Sequence, residues 1–231
     1  MKKLLAVFLI VVMVFAFTAC GQTDPNEKSE GTMTYAEYDA AKLNDEVTIE
    51  AFVQDHQSWW DNKITVYAQD GDGGYFLYEM KCSEEDAAKL VPGTKIKVTG
   101  HKAEWAGEVE IVDIESFEIL KGEYIADPVD LTDKLGTDEL VKYQNMKGAF
   151  KGVKVEKIEY KNGEPGDDIY VTVSKDGKSY DFCVEVYLTG TDTDVYKAVG
   201  ELKAGDVVDV EGYVYWYNGV NTHMTKVTVA E

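Results

Sequence analysis

Apolar and polar residues alternate along "VTIEAFVQD" (47–55), as in a strand with one face buried. The same two-residue period runs through "KITVYAQD" (63–70), "YFLYEMK" (75–81), "KIKVTG" (95–100) and "EVEIVDIESFEIL" (108–120). Turn residues "GDGG" (71–74) separate the second strand from the third. "SEEDAAKL" (83–90) reads instead as a short helix, with Ser83 as N-cap, Asp86 three residues on, and Pro92 and Gly93 to stop it. A further helical stretch, "TYAEYDAAKL", precedes the first strand. A second series follows: strands at 146–160, 169–177 and 179–187, a helix at 192–202, and strands at 206–217 and 220–230.

The two series share a phrase. "KLVPGTKIKVTG" (89–100) and "ELKAGDVVDVEG" (201–212) both fit Leu-x-x-Gly-x-x-(Ile/Val)-x-Val-x-Gly. The first glycine ends a helix; the second lies inside a strand, where a missing side chain permits a sharp bend or a close neighbour. "QDG" at 69–71 answers "KDG" at 175–177, and Trp105 and Gly107 answer Tyr217 and Gly219. Three strands, a helix and two strands is the order of the five-stranded OB-fold. The phrase with its trailing "GEVEIVDIESFEIL" resembles the closing strands of anticodon-binding-type OB domains. Residues 33–231 resemble the tandem OB-fold lipoproteins of Gram-positive anaerobic bacteria, most of which have no assigned function. The expected fold is all-β with short helices: two tandem five-stranded OB-fold Greek-key barrels after an N-terminal signal segment.

That segment, "MKKLLAVFLIVVMVFAFTACGQ", has two lysines, an apolar run from Leu4 to Phe17, then small residues and Cys20. The run is shorter than the roughly 20 residues of a membrane span. "FTAC" followed by Gly21 resembles a bacterial lipobox, which implies lipidation at Cys20 and an extracytoplasmic, membrane-anchored location. The expected divisions are a signal peptide at 1–19, a flexible tether at 20–32, a first barrel at 33–120, a linker with a short helix at 121–144 (helical over 137–145), and a second barrel at 145–231. Cys82 and Cys183 remain, as two buried thiols or one disulfide.

Charge narrows the partners. The chain has 231 residues, 43 acidic and 23 basic, with net charge -20, and every basic residue is lysine. Without arginine's planar fork and with so negative a surface, nucleic acid is disfavoured. Catalytic signatures are missing. His56, His101 and His223 stand singly, with no partner at zinc-ligand spacing. "DGDGG" at 70–74 fails as a calcium loop, because Tyr75 and Lys81 stand where glycine and glutamate are required. No catalytic residue, metal or cofactor is expected.

Aromatic residues mark the candidate ligand site. OB-folds bind on strands two and three, between the loops joining strands 1–2 and 4–5. The first of these loops holds Trp59 and Trp60 and the second Trp105, with Tyr67 and Tyr75 on the strands between. The second unit places Tyr160, Tyr215, Trp216 and Tyr217 similarly. Such rings serve equally as platforms for flat ligands or as plugs for the barrel ends. The expected function is a lipid-anchored, non-enzymatic binding or scaffolding protein of the cell envelope, with a cell-wall glycan, peptide or protein as ligand. Its alternatives are a nucleic-acid-binding OB protein and a carboxylate-based envelope hydrolase. The outward positions of the two fourth strands differ in charge, with Lys97, Thr99 and His101 against Asp209, Glu211 and Tyr213. That contrast suggests a docking of barrel on barrel through Lys97 and Asp209.

Overall fold

A computed structural model describes residues 23–230. Cys20 and the expected signal segment lie outside the described residues. The chain is mostly β. The first series forms β1 (Glu46–His56), β2 (Lys63–Gln69), β3 (Gly74–Lys81), β4 (Thr94–Trp105) and β5 (Glu108–Glu123), closed into a barrel in the order β1-β2-β3-β5-β4. The pairing of β3 with β5 is parallel and the other four are antiparallel. Helix α1 (Tyr35–Ala40) precedes β1, and α2 (Glu84–Ala87) joins β3 to β4. Ser83 caps α2 as expected, its hydroxyl accepting from the Asp86 amide.

The second series forms a second sheet. A short β6 (Val129–Asp130) leads to β7 (Lys147–Tyr160), β8 (Ile169–Lys175) and β9 (Lys178–Val184). Helices α3 (Val186–Thr189) and α4 (Asp194–Glu201) follow, then β10 (Val207–Tyr213) and β11 (His223–Val229). β10 pairs with both β11 and β7, and β11 runs parallel to β9, so the pairing order of the first barrel recurs. Each sheet wraps its own core. Val47, Ile49, Ala51 and Val53 alternate into the first, with Ile96 and Val98 opposite. Phe150, Val153, Val155, Val208 and Val210 do the same in the second, covered by Val195 and Val199 of α4. Fully burying such an aliphatic side chain contributes about 1.5–3 kcal/mol, so these inward stripes set the strand registers.

The repeated phrase has the same physical basis in both halves. Gly93 and Gly205 sit at φ of +94° and +104°, a backbone region that side chains disfavour. Gly100 and Gly212 leave no room for a methyl group: a Cβ would stand 2.8 Å from Ile111 Cγ2 in the barrel and 2.2 Å from the His223 carbonyl oxygen in the second sheet.

Two expectations change, and one open choice is resolved. The helix read over 137–145 is only a 3-10 turn at Leu140–Tyr143. Gln144 and Asn145 instead clip the linker to the first barrel, through Val109 N to Gln144 Oε1 (3.2 Å), Gln144 Nε2 to the Gly107 carbonyl (2.8 Å) and Asn145 Nδ2 to the Val109 carbonyl (3.0 Å). The segment expected as a tether lies against the first barrel from residue 23 on. Lys28 pairs with buried Asp70 at 2.6 Å, Asn26 Oδ1 accepts from Gly71 N, and Lys95 Nζ reaches the Glu27 carbonyl. Asp70 uses its other oxygen to cap the 71–73 turn, which is the structural role of the "DGDGG" stretch. Cys82 and Cys183 are both buried free thiols, so no disulfide forms between them.

Candidate functional site

The face that an OB-fold usually offers to ligands is covered here by the second sheet. Tyr67 projects outward from β2, as its register predicts, yet it is fully buried. It stacks on Tyr213 of β10, with ring centroids 4.3 Å apart and planes 10° from parallel. Phe76 of β3 and Tyr215 complete this aromatic layer, 5.4 Å apart and edge-on. His223 lies against Tyr215 and shares a hydrogen bond of 2.9 Å with the Tyr67 hydroxyl. Burial drives the His223 pKa down to about 3, which keeps the ring neutral between the sheets.

The docking does not run through Lys97 and Asp209. Lys97 Nζ faces Ser29 Oγ, and Asp209 accepts from the Gly152 amide. The contact made by the fourth strand comes instead from Tyr213, at its far end. Two buried carboxylates also belong to this junction. Glu108 of β5 accepts from Trp216 N at 2.8 Å, and burial pushes its pKa up to about 8. Glu185 accepts from Gln57 Nε2 at 3.2 Å and is raised by burial to about 7. The β4–β5 turn meets its counterpart directly, Asn218 N donating to the Ala106 carbonyl at 2.7 Å.

The other aromatic candidates divide between packing and exposure. Tyr75 lies inside the first core, its hydroxyl donating to Asp70. Trp59 packs against that core and donates from Nε1 to the Cys82 carbonyl. Tyr160 and Trp216 pack against the second core, and Tyr215 is taken by the junction. Tyr67 and Tyr75 are thus fully buried, whereas Trp59, Tyr160, Tyr215 and Trp216 are partly buried by these contacts. Trp60, Trp105 and Tyr217 are open to solvent.

The neighbours Trp59 and Trp60 part in the loop after β1: Trp59 packs on the first core, and Trp60 is left in solvent. Trp60 and Lys63 exchange backbone hydrogen bonds around Asp61 and Asn62, both at positive φ, which makes the two-residue hairpin that Asp and Asn favour. The hairpin presents Trp60 at 81% exposure. Tyr187 of α3, which sequence reasoning missed, lines the same cleft at 61% exposure. α3 is held here by the Ser58 amide, which donates to the Tyr187 carbonyl at 2.7 Å. Both rings line an open cleft of about 440 Å³, together with Ile64, Thr65, Gln57, Asp61, Lys63 and Glu79. Lys63 and Glu79 pair across β2 and β3 at 2.8 Å. Trp105 does not reach this cleft; it pairs with Tyr217, ring centroids 5.3 Å apart, where the two β4–β5-type turns meet. The expected patch of three tryptophans is therefore split.

No protein-family model and no curated protein matches the chain. Among solved structures, asparaginyl-tRNA synthetase from Pyrococcus horikoshii is similar at 19% identity and a TM-score of 0.30, over 37% of this chain and 19% of that one. The Entamoeba histolytica asparaginyl-tRNA synthetase aligns over 43% of this chain and 25% of its own, with 19% identity and a TM-score of 0.33. The match thus spans about a quarter or less of either synthetase. A murine DNA-binding protein bound to double-stranded DNA aligns over 80% of this chain and 96% of its own, at 12% identity and a TM-score of 0.38. These neighbours are OB-fold proteins with a barrel.

Proposed function

We propose that the protein is a non-enzymatic binding module of the cell envelope, built of tandem OB barrels and anchored through lipid on Cys20. Its ligand site is the cleft between Trp60 and Tyr187, and its ligand a polyhydroxylated one of the cell-wall glycan class. The observation that carries this reading is the exposure of two large rings that line one cleft together with hydrogen-bonding side chains. Aromatic faces stack on the apolar faces of sugar rings, while Gln57, Asp61, Lys63 and Glu79 offer donors and acceptors to hydroxyls. A hydrolase reading gains no support from Glu108 and Glu185, because both are buried at the junction and neither lines the cleft.

Nucleic acid is the second reading, since exposed Trp60 would stack a base as well as a sugar. Against it stand the net charge of -20 and a cleft in which Asp61 and Glu79 outnumber the single Lys63. The DNA-bound neighbour shares a fold at low similarity and brings no ligand to this chain.

The test is a tryptophan-fluorescence titration of residues 21–231 with soluble cell-wall glycan fragments and, separately, with a single-stranded oligonucleotide. Saturable glycan binding that Trp60→Ala abolishes and Trp105→Ala leaves intact is the expected result. Saturable oligonucleotide binding instead would move the assignment to the second reading.

A further inference from the structure

We propose that Glu46, His101 and Glu115 form a divalent-metal site on the outer face of the first barrel, suited to a zinc-class cation. One potential ligand atom from each lies within 4.8 Å of the others. The three come from three strands. Glu46 of β1 stands directly opposite His101 of β4. Glu115 arrives through an irregularity in β5: Thr99 pairs with Ser116 but His101 with Val112, so residues 113–115 are accommodated in a bulge. Asp113 at φ 45° marks its turn. Bulges of this kind re-aim side chains, and this one brings Glu115 beside the imidazole.

Two further features point to a cation. Neither Glu46 nor Glu115 pairs with a lysine or accepts a side-chain hydrogen bond among the described residues, although the two carboxylates converge. His101 Nδ1 is shielded from solvent and has no hydrogen-bond partner among the described residues, so the imidazole is not committed elsewhere through that nitrogen. Imidazole plus carboxylate oxygens is a donor set for zinc and its neighbours rather than for calcium. A tetrahedral zinc ion with bonds of about 2.1 Å needs ligand atoms roughly 3.4 Å apart. Both glutamates are exposed, so side-chain rotation suffices to close the remaining gap. Three protein ligands leave a coordination position for water.

The duplicated architecture supplies an internal control. Where Glu46 faces His101 in the first barrel, Lys147 faces Tyr213 in the second. The place of Glu115 falls to Thr225, beside the β10–β11 irregularity. A lysine, a tyrosine spent on the junction and a threonine cannot hold this ion, so the site belongs to one repeat only.

The test is titration of residues 21–231 with Zn²⁺, and with Co²⁺ as a spectroscopic probe, following the imidazole resonances of all three histidines. One saturable site is expected, with the His101 resonances shifting while those of His56 and His223 stay in place. His101→Gln and Glu115→Gln should each weaken binding by more than about tenfold, with Glu118→Gln as a neutral control. Shifts at His56 or His223 instead, unchanged affinity in His101→Gln, or diffuse non-saturating binding would each overturn the site. The imidazole readout on the native chain decides the matter even if a variant folds poorly.

Discussion

Tyr67 and Tyr213, 146 positions apart in sequence, lie face to face with ring centroids 4.3 Å apart and planes 10° from parallel. Each projects from the outer face of its own sheet, and each hides the other from water. The pair therefore measures how firmly the sheets are joined. Truncating a buried ring costs about 3–5 kcal/mol, so Tyr67→Ala and Tyr213→Ala should each lower stability in urea unfolding on that scale. The double mutant should fall short of additivity by about 0.5–1.5 kcal/mol, the usual coupling of an aromatic pair. Strict additivity would mean that the two rings contribute independently and that the junction is held elsewhere.

The same junction makes stability depend on pH in a defined direction. Burial lifts Glu108 to about 8 and Glu185 to about 7, above the ordinary carboxyl value of 4.5. The folded chain thus keeps protons that the unfolded chain releases. Stability from these two groups is full below the ordinary value and is lost as pH rises through 7 and then 8. His223 acts oppositely: held near 3 by burial against an ordinary 6.5, it contributes most above 6.5 and loses its contribution as pH falls. Melting temperature should accordingly drop between about pH 6.5, above which His223 no longer opposes the loss, and about pH 8. Glu108→Gln keeps an acceptor for the Trp216 amide but cannot ionise, so it should flatten that alkaline decline. An alkaline decline as steep in Glu108→Gln as in the native chain would remove Glu108 as its source.

How much of this was legible follows from the reach of each signal. Period-two alternation placed every long strand, because inward positions such as Val98 and Val210 must be apolar. The repeated glycines were legible because the backbone excludes a side chain there. Tyr67 was read correctly as outward-facing, but an outward aromatic has the same sequence pattern whether a ligand or a second sheet covers it. The site at Glu46, His101 and Glu115 gave no spacing motif, since strand register and a bulge bring its members together. Residues 23–32 read as polar tether because their partners, Asp70 and Glu50, are buried acids that composition counts as surface charge.

The two strand glycines should differ in tolerance. At Gly212 a methyl group would meet the His223 carbonyl at 2.2 Å, which is backbone and cannot step aside. At Gly100 the nearest atom is the Ile111 Cγ2 methyl at 2.8 Å, which rotation relieves in part, although the Val112 carbonyl follows at 2.9 Å. Gly212→Ala should cost about 1–3 kcal/mol and exceed Gly100→Ala in chemical denaturation. The reverse order would show that β10 and β11 can slide where β4 and β5 cannot.

The segment before α1 should behave as part of the first barrel. Asp70 has a side chain almost fully withdrawn from water, and Lys28 is its one charged partner among the described residues, at 2.6 Å. The Lys28 ammonium also reaches the Glu50 carbonyl, and the Ser29 hydroxyl donates to the Glu50 carboxylate, which Lys95 pairs at 2.9 Å. Removing one partner of a buried pair leaves the other charge uncompensated, which typically costs about 3–5 kcal/mol. The Asp70 carboxylate keeps its bonds from Asp72 N, Gly73 N and the Tyr75 hydroxyl, so Lys28→Ala should fall at or below the lower end of that range. A chain beginning at residue 33 should lose more, because Asn26, Lys28 and Ser29 leave together. Chains beginning at residues 21 and 33 would be compared by thermal melting. Equal melting temperatures would return residues 23–32 to the role of a loose tether.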